Sequence, residues 1–312
     1  MYGGVSQPCN GLQTPADTLR STAPTSKVIV PPPLFSFDSL RPLLADGASP
    51  MVAVVMLTLA VMIIGVAKSG FGGGLNILAV PLVANVVEPA YALGFMLPIM
   101  LVADVIAVAQ HRHNVAAGPL RRYLLGAAIG VAIAVAGVVM LLLATGAPAG
   151  QRLTSPSFEQ AMRICVGLCC VVLVLLQAAR VFGLPLPPIG ATPARDRVAG
   201  ALSGFTSSLA HSGGPILSIY LLETRMKPRL LVGTLVVFFF LLNLMKLPGY
   251  LGLGFITGRT LMLSAVFLAV VPVGSAVGLW LNRRIPHRPF IAIMYAVAGL
   301  AGARLLWVAA TG

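Results

Sequence analysis

The chain has 312 residues, of which 58% are hydrophobic and only 9% charged, with a mean hydropathy of +0.95. That balance excludes a soluble globule, which needs far more polar surface, and the long unbroken apolar runs exclude a membrane barrel, whose strands alternate over about ten residues. A net charge of +13 would suit a nucleic-acid binder, but the cations lie in short loops between apolar runs and form no basic face, so no nucleic-acid partner is expected. The expected fold class is all-α: a multi-pass membrane protein in contact with the lipid bilayer.

Residues 1–50 stand apart, with Pro31-Pro32-Pro33, scattered Ser and Thr, and charges of both signs. They read as a disordered tail or a non-native extension ahead of the fold. Apolar runs then fall at about 51–69, 73–87, 90–109, 120–145, 160–180, 198–210, 213–222, 229–247, 260–281 and 289–310. As one helix, residues 51 to 87 would run roughly 55 Å at about 1.5 Å per residue, against a hydrocarbon core of about 30 Å. The stretch must break, and the glycines between Gly70 and Gly74 mark the place. The 160–180 run holds Cys165, Cys169 and Cys170, which with Cys9 show no zinc or disulfide spacing. Small apolar packing is the favoured reading, with a soft-metal or redox pair at Cys165 and Cys169 as the alternative. No cofactor and no metal are expected.

A second break resembles the first. "SGFTSSLAHSGGPILSIYLLE", residues 203–223, interrupts an apolar segment at a polar, glycine-rich point. Laying Gly73-Gly74 on Gly213-Gly214 gives an offset of 140, and at 139 Pro89 meets Pro228, Gly94 meets Gly233 and Asp104 meets Asn243. This order describes an internal duplication: residues 51–181, a cytoplasmic linker at 182–197, and residues 198–312. Four loops carry Arg112, Arg121, Arg122, then Arg180, Arg195, Arg197, then Arg225, Lys227, Arg229, then Arg283, Arg284, Arg288. The alternate loops hold only Arg152, Arg163, Lys246 and Arg259, so the first set is cytoplasmic by the positive-inside rule. The loop before Pro89 is then on the opposite side from its counterpart before Pro228. The copies are inverted, each a glycine-broken hairpin plus three spanning helices.

Backbone freed from helix at membrane depth is tolerated only where protein or a wet cavity satisfies it, and half-helix ends there offer N–H groups that suit an anion. Gly72, Gly73, Gly74, Gly213 and Gly214 are the candidates, with helix packing as the bland alternative. Lys68 precedes the first break, and His211 and Ser212 precede the second. A buried ammonium needs a counter-ion or an interface to reach, and a buried His either packs, donates to an anion or carries a proton. Asp104 lies deep in its run and has two readings: a coupling or gating role, or a structural one, pairing with Lys68 or ending its helix near the cytoplasmic side. Asn243 and Lys246 share a helix face that Pro248 stops or kinks. Asn76, Ser207 and Ser208 suit either a ligand or freed backbone. Arg304 reads as snorkelling, and Trp280 and Trp307 as interfacial anchors.

In "KSGFGGGLNILAVPLV", in the span bearing Asp104 with its basic loop, in "AHSGGPILSIYLL" and in "GTLVVFFFLLNLMKLPGY", the sequence resembles the sulfite exporter TauE/SafE family of membrane permeases. The last stretch holds Gly233-Thr234 and an Asn-x-x-Lys-x-Pro-x-Tyr pattern at Asn243, Lys246, Pro248 and Tyr250. Thr206, Ser207 and Ser208 stand where the pattern would carry more glycine. The resemblance covers about residues 51 to 310 and implies a permease for sulfite, sulfonates or other small anions, without nucleotide-binding domains. The expected function is a secondary transporter exporting a small anion by alternating access, in which Lys68, His211 and the glycine N–H groups bind the anion while Asn243 and Lys246 line its path. An intramembrane redox or hydrolytic enzyme and an anion channel are the alternatives.

Overall fold

A computed structural model describes residue 3 and residues 49–71, 76–148, 151–181, 192–224, 226–284 and 287–311. The tail at 1–50, apart from its last two residues and Gly3, and most of the 182–197 linker lie outside the described residues. So do Gly72, Gly73 and Gly74.

The described chain is helical. Its elements are α1 (Pro50–Phe71), a 3-10 turn at Asn76–Leu78, α2 (Ala79–Ala84), α3 (Pro89–His111), α4 (Ala117–Ala144), α5 (Pro156–Val181), α6 (Pro193–Ala210), α7 (Gly214–Glu223), α8 (Pro228–Gly252), α9 (Gly258–Phe267), α10 (Val270–Arg284) and α11 (His287–Thr311). Among the described residues, five helices are long and apolar enough to cross a membrane alone, and the bent pair α9–α10 makes a sixth. Large side chains on the outer faces, such as Leu125, Ile129, Leu175 and Leu300, point away from the core. That is the pattern of a protein whose solvent is lipid. Trp280 and Trp307 are exposed as well.

The second predicted break appears at the helix ends, α6 stopping at Ala210 and α7 starting at Gly214, whereas the first falls on residues 72–75, outside the described residues between α1 and the 3-10 turn. The 260–281 run differs from the expected single span, because α9 and α10 meet at 48°. Pro272 has no N–H for the Leu268 carbonyl, and its ring crowds that oxygen. Val271 N–H bonds Leu268 O instead, at 3.1 Å. Pro248, by contrast, does not stop α8, which runs on to Gly252 with this proline inside it.

Helix partners are set by small residues. α4 and α6 lie side by side in parallel: a Cβ at Gly126, Gly130, Gly200 or Gly204 would overlap backbone of Arg197, Ala201, Tyr123 or Ala127, respectively. α1 and α10 form a similar parallel pair, with Gly274 against Met62 and Gly278 against Val66. α5 packs on α11. At the centre α3 and α8 run antiparallel, since Gly94 of α3 abuts Phe255 beyond the end of α8, and Gly233 of α8 abuts Asn114 beyond the end of α3.

These contacts also sort the loops. The amide of Ala116 donates to Thr234 Oγ1 at 3.0 Å, and Arg122 meets Asp196 at 2.9 Å, which gathers the cation-bearing segments 112–116, 192–197 and the start of α8. At the other end Asn85 Nδ2 donates to the Ala301 carbonyl, Gln160 Nε2 to the Ala309 carbonyl, and Leu153 lies beside Gly254. Those are the cation-poor segments.

Backbone cannot yield as a flexible side chain does, so Gly130→Leu is expected to destabilise the α4–α6 pair by about 1–3 kcal/mol or more. Gly137→Ala, on the same helix but facing open space, is expected to leave stability unchanged. Thermal unfolding of the detergent-solubilised variants checks both.

Candidate functional site

α1 brings Lys68 to the protein interior in its last turn, and α3 brings Asp104. The two side chains are 2% and 0% exposed. Lys68 Nζ donates to Asp104 Oδ1 at 2.5 Å, and Asn243 Nδ2 from α8 donates to Oδ2 at 2.6 Å. Both carboxylate oxygens are therefore held, by groups on two other helices. The ammonium also lies 5.2 Å from the Phe239 ring centroid, on the same α8. Of the two readings of Asp104, pairing with Lys68 is what the geometry displays. Asn243, its partner at the 139-residue offset, lies directly opposite.

Lys246 lies one turn beyond Asn243 on the same face of α8. It is 0% exposed, and its Nζ donates to His211 Nδ1 at 2.8 Å, Ser207 Oγ at 3.1 Å and the Ser207 carbonyl at 3.3 Å. His211 Nε2 is 3.2 Å from the Leu93 carbonyl. A carbonyl only accepts, so Nε2 carries the ring hydrogen and Nδ1 is free to accept from Lys246. Tyr250, one further turn along, donates to the Ser208 carbonyl at 2.9 Å and sets its ring 5.8 Å from that of His211. Lys246 thus lies against the C-terminal turn of α6, where carbonyls lack helical donors and the dipole is negative, and Lys68 lies in the last described turn of α1.

His211 itself is the residue that ends α6. Its backbone is left-handed, φ 46° and ψ 25°, and among the described residues no other non-glycine has positive φ. Such a conformation costs an L-residue roughly 1–2 kcal/mol, so the position favours glycine on backbone grounds. The ring's contacts with Lys246 and Leu93 hold it there.

The two glycines at the second break have different surroundings. A Cβ at Gly213 would overlap the Ser203 carbonyl, and Ser203 Oγ donates to the Gly213 carbonyl at 2.9 Å, so Gly213 lets the returning chain lie against α6. Gly214 opens α7, and its N–H belongs to a first turn without helical acceptors. Ser212 is buried and donates to the Thr206 carbonyl at 3.4 Å. Asn76 is buried in the 3-10 turn, and among the described residues neither its Oδ1 nor Ser69 Oγ has a hydrogen-bond partner. That turn packs against α7, the helix that follows the second break.

Ser207, Tyr250, Phe239 and the Leu93 carbonyl complete the arrangement. Tyr250 was readable from spacing, since positions 243, 246 and 250 fall on one face at i, i+3 and i+7. Phe239 and Leu93 carry no such signal within an apolar run. Ser208 Oγ, one of the two readings of that serine, bonds its own helix at Gly204 O. Arg304 is exposed on α11, away from this cluster. Chemically, the site offers charge and hydrogen-bond donors. Both His211 nitrogens are taken, and neither activates Ser212; the free thiols of Cys165, Cys169 and Cys170 lie on α5.

Membrane-crossing helices closed around buried Lys68, Asp104, Lys246 and His211 define a multi-pass membrane protein with a polar interior. Residues 57–305 match the family model described as Sulfite exporter TauE/SafE, and the chain belongs to that family. It is a family of membrane permeases that export sulfite and related anions. Comparisons with curated proteins and with solved structures gave no match.

Breaking a buried ion pair from one side leaves an uncompensated charge, at about 3–5 kcal/mol, whereas replacing both partners by apolar groups is often neutral. Asp104→Leu is therefore expected to unfold at a markedly lower temperature, and Lys68→Met/Asp104→Leu to recover most of the loss. Thermal melts of the three proteins in one detergent decide it.

Proposed function

We propose that this protein is a secondary carrier that exports a small anion, sulfite or an organosulfonate, by alternating access about two inverted halves. The carrying observation is charge balance. With both ammoniums charged, Lys68 and Lys246 face a single carboxylate, Asp104, whose two oxygens are already engaged. None of Lys68, Asp104, Asn243, Lys246 and His211 is more than 3% exposed. At such burial an unmatched charge is costly, and a bound anion supplies the missing counter-charge. Lys246, Lys68, His211, Ser212, Asn76 and Asn243 line the anion's place, together with backbone N–H groups of Gly72, Gly73, Gly74, Gly213 and Gly214. Asp104 is the gating partner, because its carboxylate joins α1, α3 and α8 and has to exchange partners when those helices part.

Residues 51–181 and 198–312 are the two halves. Their inversion is supported by contacts that repeat with the halves exchanged: α1 on α10 as α6 on α4, α3 on α9 as α8 on α4, and α3 on α8 across the Asp104–Asn243 contact. The closed site suits the intermediate of alternating access in which neither side has entry. The direction of export follows the family.

The test is flux of labelled sulfite and of small alkylsulfonates in proteoliposomes. Saturable flux is expected, and Lys246→Met is expected to reduce it about tenfold or more, since a charge-assisted contact contributes about 1.5–3 kcal/mol. Arg304→Gln should change nothing. Unsaturable flux would make the protein a channel, and undiminished flux in Lys246→Met and Lys68→Met would remove the proposed site.

A further inference from the structure

From the same charge balance, and resting on the carrier reading above, we infer that Lys246 releases its proton together with the anion, so that the protein moves one singly charged anion and one proton per cycle. The two buried lysines differ in one respect. Lys68 has a permanent counter-ion in Asp104, which Asn243 holds from its other side. Lys246 has only neutral partners: the Ser207 carbonyl and hydroxyl, and His211 Nδ1. The titratable and charged groups facing it are Lys68 from α1, Asp104 from α3, His211 from α6 and Tyr250 from its own helix. Among the described residues, α4 and α7, which also pack on α8, give it no ion pair or hydrogen bond.

The consequence lies in the return step. A carrier loaded with one anion is neutral: Lys68 balances Asp104, and Lys246 balances the ligand. Once the anion leaves, the empty site would hold one unmatched charge and have to cross the bilayer interior with it. Loss of a proton from the Lys246 ammonium, leaving the amine, restores neutrality. The amine lone pair and its two hydrogens still suit its present partners, since His211 Nδ1 and the Ser207 carbonyl need only donors, and the Ser207 hydroxyl can donate back. The proton enters water on the side where the anion is released, and Lys246 takes up another where the next anion binds. Asp104 is poorly placed for this work, because protonating it would strip Lys68 of its counter-ion.

The experiment uses the purified full chain in liposomes, with methanesulfonate as a fully ionised monoanion and labelled sulfite as a second probe. Anion flux is read with a trapped pH dye and with potentials clamped by potassium and valinomycin. The expected result is flux that acidifies the receiving compartment and does not respond to potential. Movement of a whole charge would instead let about 100 mV alter flux by up to roughly 50-fold. Flux that follows potential without acidification, or wild-type flux that occurs only as anion exchange, overturns the inference while leaving the carrier reading intact. Flux of neither probe above protein-free liposomes removes the carrier reading itself, and this inference with it. Lys246→Arg keeps the charge and cannot lose it, so anion-for-anion exchange is expected to survive while net efflux falls about tenfold or more. Net efflux at the wild-type rate in that variant overturns the inference. Should the variant fail to fold, the potential measurement on the wild type still decides.

Discussion

A charge cannot rest inside a bilayer protein without an answering group, and the Asp104 carboxylate is where that constraint organises this chain. It accepts from Lys68 on α1 and from Asn243 on α8 while itself belonging to α3. Two helices near each other in sequence and a third more than a hundred residues on are thereby held in one register, and two of them, α3 and α8, form the antiparallel centre around which the others are placed. The low dielectric makes each of these hydrogen bonds strong and the loss of any one of them expensive. Lys246 extends the same face of α8 by one turn and ties in α6 through Ser207 and His211. The buried polar side chains thus form two neighbouring groups along a single face of α8, one reaching α1 and α3 and the other the C-terminal turn of α6.

Much of this was legible from the residues alone. Lysine, aspartate, asparagine and histidine are rare in apolar runs because they are costly there, so Lys68, Asp104, Asn243, Lys246 and His211 stand out in the sequence without any structure. The second break followed from its polar, glycine-rich stretch, and the two sets of loops from the placement of Arg and Lys. Pairing was harder to read. Nothing in the sequence shows that Lys246 reaches across to α6 and not to Asp104, because such a contact depends on how helices rotate about their axes. Gly213 shows the same limit. In sequence it suits an anion site and a close helix contact equally, and only the position of Ser203 shows that the close contact is made.

Helix partners lay beyond the sequence for a related reason. Glycine and alanine on a helix say that something comes near, not what comes near. The α4–α6 and α1–α10 pairs are built on such residues, and each joins helices about 70 or 200 residues apart in sequence. Prolines mislead in a similar way. Pro98 and Pro248 sit within continuous helices, whereas the chain turns ahead of Pro272. The missing N–H is common to all three, and tertiary surroundings decide whether the helix gives way.

The crossed pairing bears on biosynthesis. α1 leaves the ribosome well before α10, whose Gly274 and Gly278 fit against it: roughly 200 residues separate the two, which at about 5–20 residues per second is on the order of 10–40 s. Throughout that interval the face of α1 that will receive α10 has only lipid or an assisting protein to cover it.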